Sequence, residues 1–122
     1  MLTEFGKTLR KIRIDNGMLL KDMATALGIS PAYLSAVETG KKPIPDGFVG
    51  RVAQMLNYTE HSDEYVALED SASMSKGEAP MKHLPQKHQQ AVLAFARNLG
   101  SLNAEEVDRL LGMIKNSKKK AQ

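Results

Sequence analysis

The pattern of apolar and polar positions between residues 20 and 40 predicts two short helices joined by a sharp turn. Gly28 ends the first helix, because that position needs a left-handed backbone. Ser30 and Pro31 then start the second helix, since a serine hydroxyl caps free N–H groups and proline suits the first helical position. A turn this tight leaves one face of the second helix uncovered, and such a helix fits the major groove of DNA. Apolar residues at helical spacing form the inner face of the pair, namely Leu20, Met23, Ala24, Leu27, Leu34 and Val37.

Three further helices are predicted around this pair. The first begins after Thr3, a suitable N-cap, and ends near Asn16. A fourth spans about 46–56, and a fifth begins at Thr59 and ends near Glu69. The two lysines and two prolines of 40–45 predict a stiff basic loop before the fourth helix. The fold class is therefore all-α, with a five-helix domain in residues 1–69.

The rest of the chain is predicted to be a linker, 70–83, followed by a helical pair in residues 84–122. Small, polar and Pro/Gly residues dominate the linker. Asn103 and Glu106 have the spacing of a capping box for the last helix. Two such short helices cannot bury their apolar stripes alone, so we expect them to contact the first domain, a second copy or another protein. The stripes contain Val92, Phe95, Leu99, Val107, Leu110, Leu111 and Ile114.

Composition narrows the class of protein further. The 122 residues contain no cysteine, which excludes disulfides and thiolate metal sites. No apolar run is long enough to span a membrane, and the N-terminus lacks the order of a signal peptide, so we expect a cytoplasmic protein without membrane contact. The net charge of +3 divides into about +3 for residues 1–57, −4 for 58–83 and +4 for 84–122. Two basic blocks are compatible with phosphate contact at either end of the chain.

Several spaced features of the first half agree with one another, namely Phe5, Leu9, Arg13, Gly17, Met23, Ala24, 27–30, 33–35, Val37, Glu38, Gly40 and Lys41. Together they resemble the lambda-repressor-like (Cro/Xre) helix-turn-helix family. The resemblance covers roughly residues 1–57 and implies a bundle of five helices whose third helix enters the major groove. The C-terminal segment LAFARNLGSLNAEEVDRLLGMIK is similar to the tail of some such regulators.

The resemblance implies a set of positions that face the bases. In relatives, the positions matching Pro31, Ala32 and Ala36 often carry long polar side chains, whereas here all three are apolar. They suit thymine methyl groups but make no bidentate contact with guanine or adenine, so we expect modest direct readout. The complete set of base-facing candidates is Ser30, Pro31, Ala32, Tyr33, Ser35, Ala36 and Thr39.

The resemblance also implies phosphate contacts and one structural ion pair. Relatives begin the second helix with a hydroxyl cap and a glutamine on phosphate, but this chain has Leu19 and Leu20 there. Backbone N–H groups at the helix start remain available to phosphate. Arg10, Lys21, Lys41 and Lys42 are predicted to supply the remaining phosphate contacts. Arg13 and Glu38 match a pair that ties the first helix to the third in relatives.

No pattern in the sequence indicates an enzyme, a cofactor or a metal. The three histidines lack the spacing of a helical metal pair, and phosphate-binding glycine motifs are absent from the sequence. Two functions stay open. One is a repressor that binds a pseudo-palindromic operator in double-stranded DNA as a homodimer. The other is an antitoxin-like protein that neutralises a partner through its C-terminal helices and represses its own operon.

Overall fold

The computed structural model describes residues 1–120, with side chains to residue 117, and every regular element in them is helical. This confirms the predicted all-α class. The chain divides into two compact units, one of residues 1–80 and one that begins at Met81. The first unit contains α1 (Glu4–Asp15), α2 (Leu20–Leu27), α3 (Pro31–Glu38), α4 (Phe48–Met55) and α5 (Asp63–Lys76), and the second contains α6 (Gln86–Asn98), a 3₁₀ turn (Leu99–Ser101) and α7 (Ala104–Lys120).

The helix-turn-helix forms where local sequence predicts it. Gly28 has φ +72° and ends α2, with the N–H of Ile29 bonded back to the carbonyl of Ala24 at 3.0 Å. The Ser30 hydroxyl accepts the N–H of Tyr33 at 3.0 Å, so it caps α3. The start of α1 follows the same principle, since the Thr3 hydroxyl accepts the N–H of Gly6 at 3.0 Å.

An aliphatic core with two phenylalanines fixes the first unit. Helix α1 packs along α5 and against the end of α3, while α2 packs against α3 and α4. The rings of Phe5 and Phe48 meet edge to face with centroids 6.0 Å apart. Aromatic pairs prefer this arrangement because the positive edge of one ring meets the negative face of the other. Burying these side chains is the main stabilising contribution. The core comprises Phe5, Leu9, Ile12, Met23, Ala24, Leu27, Leu34, Val37, Phe48, Val52, Ala53, Leu68 and Ala72.

Two predicted helix starts differ from the structure. Helix α4 begins at Phe48 rather than near Asp46, because Gly47 adopts φ +75° and the Phe48 N–H bonds to the Pro45 carbonyl. Helix α5 is capped by Ser62 and not by Thr59. The Ser62 hydroxyl accepts the N–H of Tyr65 at 3.1 Å and donates to the Thr59 carbonyl at 2.8 Å.

The predicted start of the linker is wrong, because α5 continues to Lys76. Ser71 and Ala72 are buried, and their small side chains let α5 lie close to α1. The hydroxyl of Ser75 accepts the N–H of Phe5 at 2.9 Å and so joins the two helices. The small polar residues of this segment predict a linker by composition alone, but Ser71 and Ala72 form part of the packed face of a helix.

The second unit contains one helix with a side-chain cap, α7, but no buried side chain among residues 81–117. Asn103 and Glu106 form the predicted capping box, with the Glu106 N–H donating to Asn103 Oδ1 at 2.8 Å and the Asn103 N–H donating to Glu106 Oε1 at 3.1 Å. Gln89 donates to the carbonyls of Met81 and Leu84 and holds the chain that leads into α6. Local hydrogen bonds, rather than a core, thus define this unit within one chain.

Candidate nucleic-acid interface

A buried ion pair attaches α3 to α1. The guanidinium of Arg13 donates two hydrogen bonds to the Glu38 carboxylate, one of them from Nη2 to Oε1 at 3.0 Å. The two side chains are only 9% and 4% exposed, so water cannot replace either partner. Arg13 Nη1 also lies 3.5 Å from the sulfur of Met23 on α2. One arginine of α1 therefore contacts both α2 and α3.

The C-terminal end of α3 is fixed by a second set of contacts. The Glu38 carbonyl accepts hydrogen bonds from the Thr3 N–H at 3.0 Å and the Thr3 hydroxyl at 3.1 Å. Gly6 lies against the same carbonyl, and a Cβ atom there would stand 2.1 Å from the carbonyl oxygen. Only glycine permits this approach, so α3 is held at a defined distance from α1.

The outer face of α3 is open to solvent. Leu34, Val37 and Glu38 are buried, so the remaining side chains of α3 point away from the interior. Ser30, Pro31, Ala32, Tyr33 and Ser35 are exposed, while Ala36 and Thr39 are partly exposed. The seven base-facing candidates thus share one accessible surface on a rigidly held helix.

Two of the predicted polar readers on α3 are engaged within the protein. Ser30 uses an oxygen lone pair as the helix cap, as described above. The Thr39 hydroxyl donates to the Ser35 carbonyl at 3.0 Å, which occupies its only proton. The hydroxyls of Tyr33 and Ser35 have no such internal bond among the described residues.

The four predicted phosphate contacts are exposed and form no ion pair within the described residues. Arg10 lies on the side of α1 that carries Gly6 and Arg13, which is the side next to α3. Lys21 lies in the first turn of α2. Lys41 and Lys42 lie in the turn that follows α3. The N–H of Lys42 bonds to the Ala36 carbonyl at 3.1 Å in this turn.

The start of α2 carries a feature that the sequence analysis missed. Leu19, the N-cap residue, has no side-chain acceptor, but its N–H donates to Asp22 Oδ2 at 2.8 Å. This is one half of a capping box, and the carboxylate also favours the positive end of the helix. The spacing of Leu19 and Asp22 was visible as a signal in the sequence. Asp22 places a negative charge at the start of α2, where the sequence resemblance predicts a phosphate contact.

Arg51 is a second residue that the sequence analysis missed. Its guanidinium donates to the Leu27 carbonyl at the C-terminal end of α2. Terminal helix carbonyls lack partners within the helix, so this bond connects α4 to the turn of the helix-turn-helix. Arg51 also lines a cleft with Ile29, Ser30 and Tyr33 at the start of α3. It is the one basic residue of α4, but its target is 24 positions away and not predictable from local spacing.

The predicted contact residues of the second unit are accessible in this chain. Phe95, Leu99, Leu111 and Ile114 are 54%, 38%, 48% and 68% exposed. Val92, Val107 and Leu110 are partly exposed. Helices α6 and α7 share too few contacts with each other to cover these side chains. The apolar stripes therefore remain open to a partner.

Comparison with known proteins identifies the domain that this geometry forms. Residues 4–63 match the family model described as "Helix-turn-helix domain". Comparisons with curated proteins and with solved structures found no significant match. The matched range begins with α1 and covers the two helices around the Gly28 turn, together with α4. Residues 4–63 of the first unit are therefore similar to a helix-turn-helix domain. Within residues 1–120, no helix is long and apolar enough to cross a membrane.

Proposed function

We propose that this protein is a transcription regulator of the lambda-repressor-like (Cro/Xre) type, and specifically a repressor. The observation that carries the proposal is the open outer face of α3. The Arg13–Glu38 ion pair and the hydrogen bonds from Thr3 to the Glu38 carbonyl hold this helix in place. A helix presented in this way enters the major groove of double-stranded DNA. In this proposal, the bound protein blocks transcription by occupying the promoter DNA. Because its proposed target is promoter DNA, we place the protein in the cytoplasm. The proposed function requires no cofactor and no catalytic step.

Phosphate contacts in this proposal come from basic side chains on three sides of α3. Arg10 lies on the flank of α1, Lys21 at the start of α2, and Lys41 and Lys42 in the turn after α3. Such contacts set the position of a protein on the duplex but do not read sequence. Four contacts in each chain make eight in a dimer. The logarithm of the observed binding constant should then fall with the logarithm of the salt concentration with a slope of about −7.

The second unit supplies the dimer contact in this proposal. An operator with two half-sites requires two recognition helices about 34–36 Å apart, which a single domain does not provide. The apolar stripe of α7, for example Leu111 and Ile114, is exposed in the single chain. Burying two such stripes against each other removes apolar surface from water and stabilises the pair.

The charges on α7 favour a second copy of this chain as the occupant of the stripe. The first half of the helix carries three acidic residues, Glu105, Glu106 and Asp108, and one basic residue, Arg109, so it is net acidic. Lys115 lies in the second half, and the sequence continues with lysines at 118–120. Two α7 helices that pair in opposite directions place each acidic half beside a basic half. Parallel pairing would instead bring like charges together. An antiparallel, two-fold symmetric pair satisfies both the apolar and the charged positions.

The first test is binding of the full chain to its own upstream DNA and to scrambled duplex across a salt series. We expect selective binding with a slope near the value given above. Lys42→Gln should weaken binding to all sequences and reduce the slope by about two in the dimer. Lys11→Gln is the matched control, because Lys11 is exposed but already paired with Asp15. Equal binding of native and scrambled DNA contradicts the proposal.

The dimer is tested by measuring mass in solution together with DNA affinity. Ile114→Lys introduces a charge into the stripe and should yield a monomer with at least tenfold weaker binding to a two-half-site operator. Asn116→Lys adds the same charge on the opposite side of α7 and should leave the dimer intact. An unchanged mass for the Ile114 variant contradicts this interface.

The partner-binding alternative is an outcome of the same mass measurement. Exposed apolar stripes also suit a different polypeptide, as in an antitoxin that represses its own operon. Expression of the native operon would then yield a complex with a second polypeptide in fixed stoichiometry. A homodimer of the chain alone supports the repressor without a partner protein.

A further inference from the structure

The outer surface of α3 carries no side chain that discriminates bases by paired hydrogen bonds. The helix sequence is PAYLSAVE, and its single charged residue, Glu38, is buried against Arg13. Arginine, lysine, asparagine and glutamine, which make bidentate contacts with guanine or adenine, are absent from the helix. Apolar atoms of Pro31, Ala32 and Ala36 instead form much of the accessible face.

The polar groups that remain on this face select weakly between bases. The Thr39 proton is donated to the Ser35 carbonyl, and the Ser30 oxygen already accepts the Tyr33 N–H. The hydroxyls of serine and tyrosine both donate and accept, so Ser35 and Tyr33 are each compatible with either kind of base edge. Hydrogen bonding from α3 therefore supplies little discrimination, and any strong preference must arise from the apolar atoms.

The chemistry of the major groove then points to one base. All four bases present hydrogen-bonding groups there, and thymine alone adds an apolar C5-methyl group. An alanine placed against a polar base edge removes water from it without offering a replacement bond. The same alanine placed against a methyl group buries apolar surface on both sides. The outer face of α3 is complementary to thymine.

We infer that this protein selects its operator by contacts between the apolar face of α3, centred on Ala32 and Ala36, and thymine methyl groups in the major groove. The inference rests on the proposed function and specifies the bases that the same surface recognises. Half-sites should accordingly carry T·A pairs at the positions that face the first two turns of α3. One buried methyl group should contribute about fourfold to affinity, which is the value for one methylene.

The test replaces single thymines by uracil in a site selected by the purified full chain from a random duplex library. Uracil keeps every hydrogen-bonding group of thymine and removes only the methyl group. We expect a loss of about fourfold at each contacted position and no change at thymines outside the half-sites. The loss of affinity on replacing a thymine by uracil is here called the uracil penalty. Ala32→Ser should reduce this penalty at the thymine that residue 32 contacts. Ala26→Ser, the same change at an exposed position of α2, should leave the penalty unchanged.

The outcomes separate the inference from the function on which it rests. Selection of a defined sequence with uracil penalties below twofold throughout overturns the methyl inference while the regulator remains supported. Selected half-sites that are rich in G·C pairs overturn it as well. Failure to select any sequence overturns the inference together with the proposed function. Uracil penalties that are present in the native protein and diminished by Ala32→Ser support it.

Discussion

Replacing Arg13 by methionine tests whether the buried ion pair holds the recognition helix in place. Methionine retains an unbranched apolar stem of similar reach, so the change removes mainly the guanidinium. The Glu38 carboxylate, whose side chain is 4% exposed, then loses both hydrogen bonds from that group. A buried charge without its partner bears the full cost of its removal from water.

The expected loss in the free energy of unfolding is about 3–5 kcal/mol, the range for breaking a buried pair by removal of one partner. That is a large fraction of the about 5–15 kcal/mol that stabilises a typical domain. Arg10→Met is the matched control, because Arg10 lies on the same helix but is exposed and forms no ion pair among the described residues. Its cost to stability should stay within about 0.5 kcal/mol.

Urea denaturation followed by tyrosine fluorescence is a suitable assay for this comparison. The three tyrosines, Tyr33, Tyr58 and Tyr65, all belong to the first unit, and the chain has no tryptophan. The signal therefore reports the helix-turn-helix unit and not α6 or α7. With a slope of about 1–3 kcal/mol per molar urea, the midpoint should fall by at least about 1 M.

A double variant separates the ion pair from general packing. Glu38→Met combined with Arg13→Met replaces the pair by two apolar side chains and should be more stable than the single Arg13 variant. The reasoning is refuted if Arg13→Met costs less than about 1 kcal/mol, or if the double variant is no more stable than the single one.

Two other contacts lead to predictions of the same kind. Gly6→Ala would place a Cβ 2.1 Å from the Glu38 carbonyl oxygen, so it should destabilise the first unit by about 1–3 kcal/mol and weaken DNA binding. Gly50→Ala in α4 meets no atom within 4 Å and should instead stabilise by up to about 1 kcal/mol, and equal urea midpoints for the two variants would contradict this. Asp22→Asn keeps an acceptor for the Leu19 N–H but removes a charge at the proposed phosphate site, so DNA affinity should rise by about 0.5–1 kcal/mol. A gel-shift titration at low salt measures this rise, and unchanged affinity would place Asp22 outside the DNA contact.

Local features of the sequence were sufficient for the order of the helices. The Gly28 turn, the Ser30 cap and the Asn103–Glu106 capping box are each decided by residues within five positions of one another. Interactions at this range depend on backbone geometry and side-chain type, so spacing alone predicts them. The apolar stripes of α1 to α4 likewise follow from helical periodicity.

The extent of α5 depended instead on packing against another helix. Residues 70–76 are small and polar, and their composition alone is typical of a linker. They are helical because Ser71 and Ala72 fit closely against α1 and because Ser75 accepts the Phe5 N–H. That hydrogen bond joins residues 70 positions apart, a separation beyond the reach of any local pattern.

For the candidate site, the residues on the outer face of α3 and the mainly apolar character of that face follow from the sequence alone. How the helix is held, and which of its groups are free, depends on contacts between helices. The contact of Gly6 with the Glu38 carbonyl and the bond from Arg51 to Leu27 join residues 32 and 24 positions apart. A helix has the same periodicity wherever it lies, so its position relative to other helices comes only from the contacts that fix it.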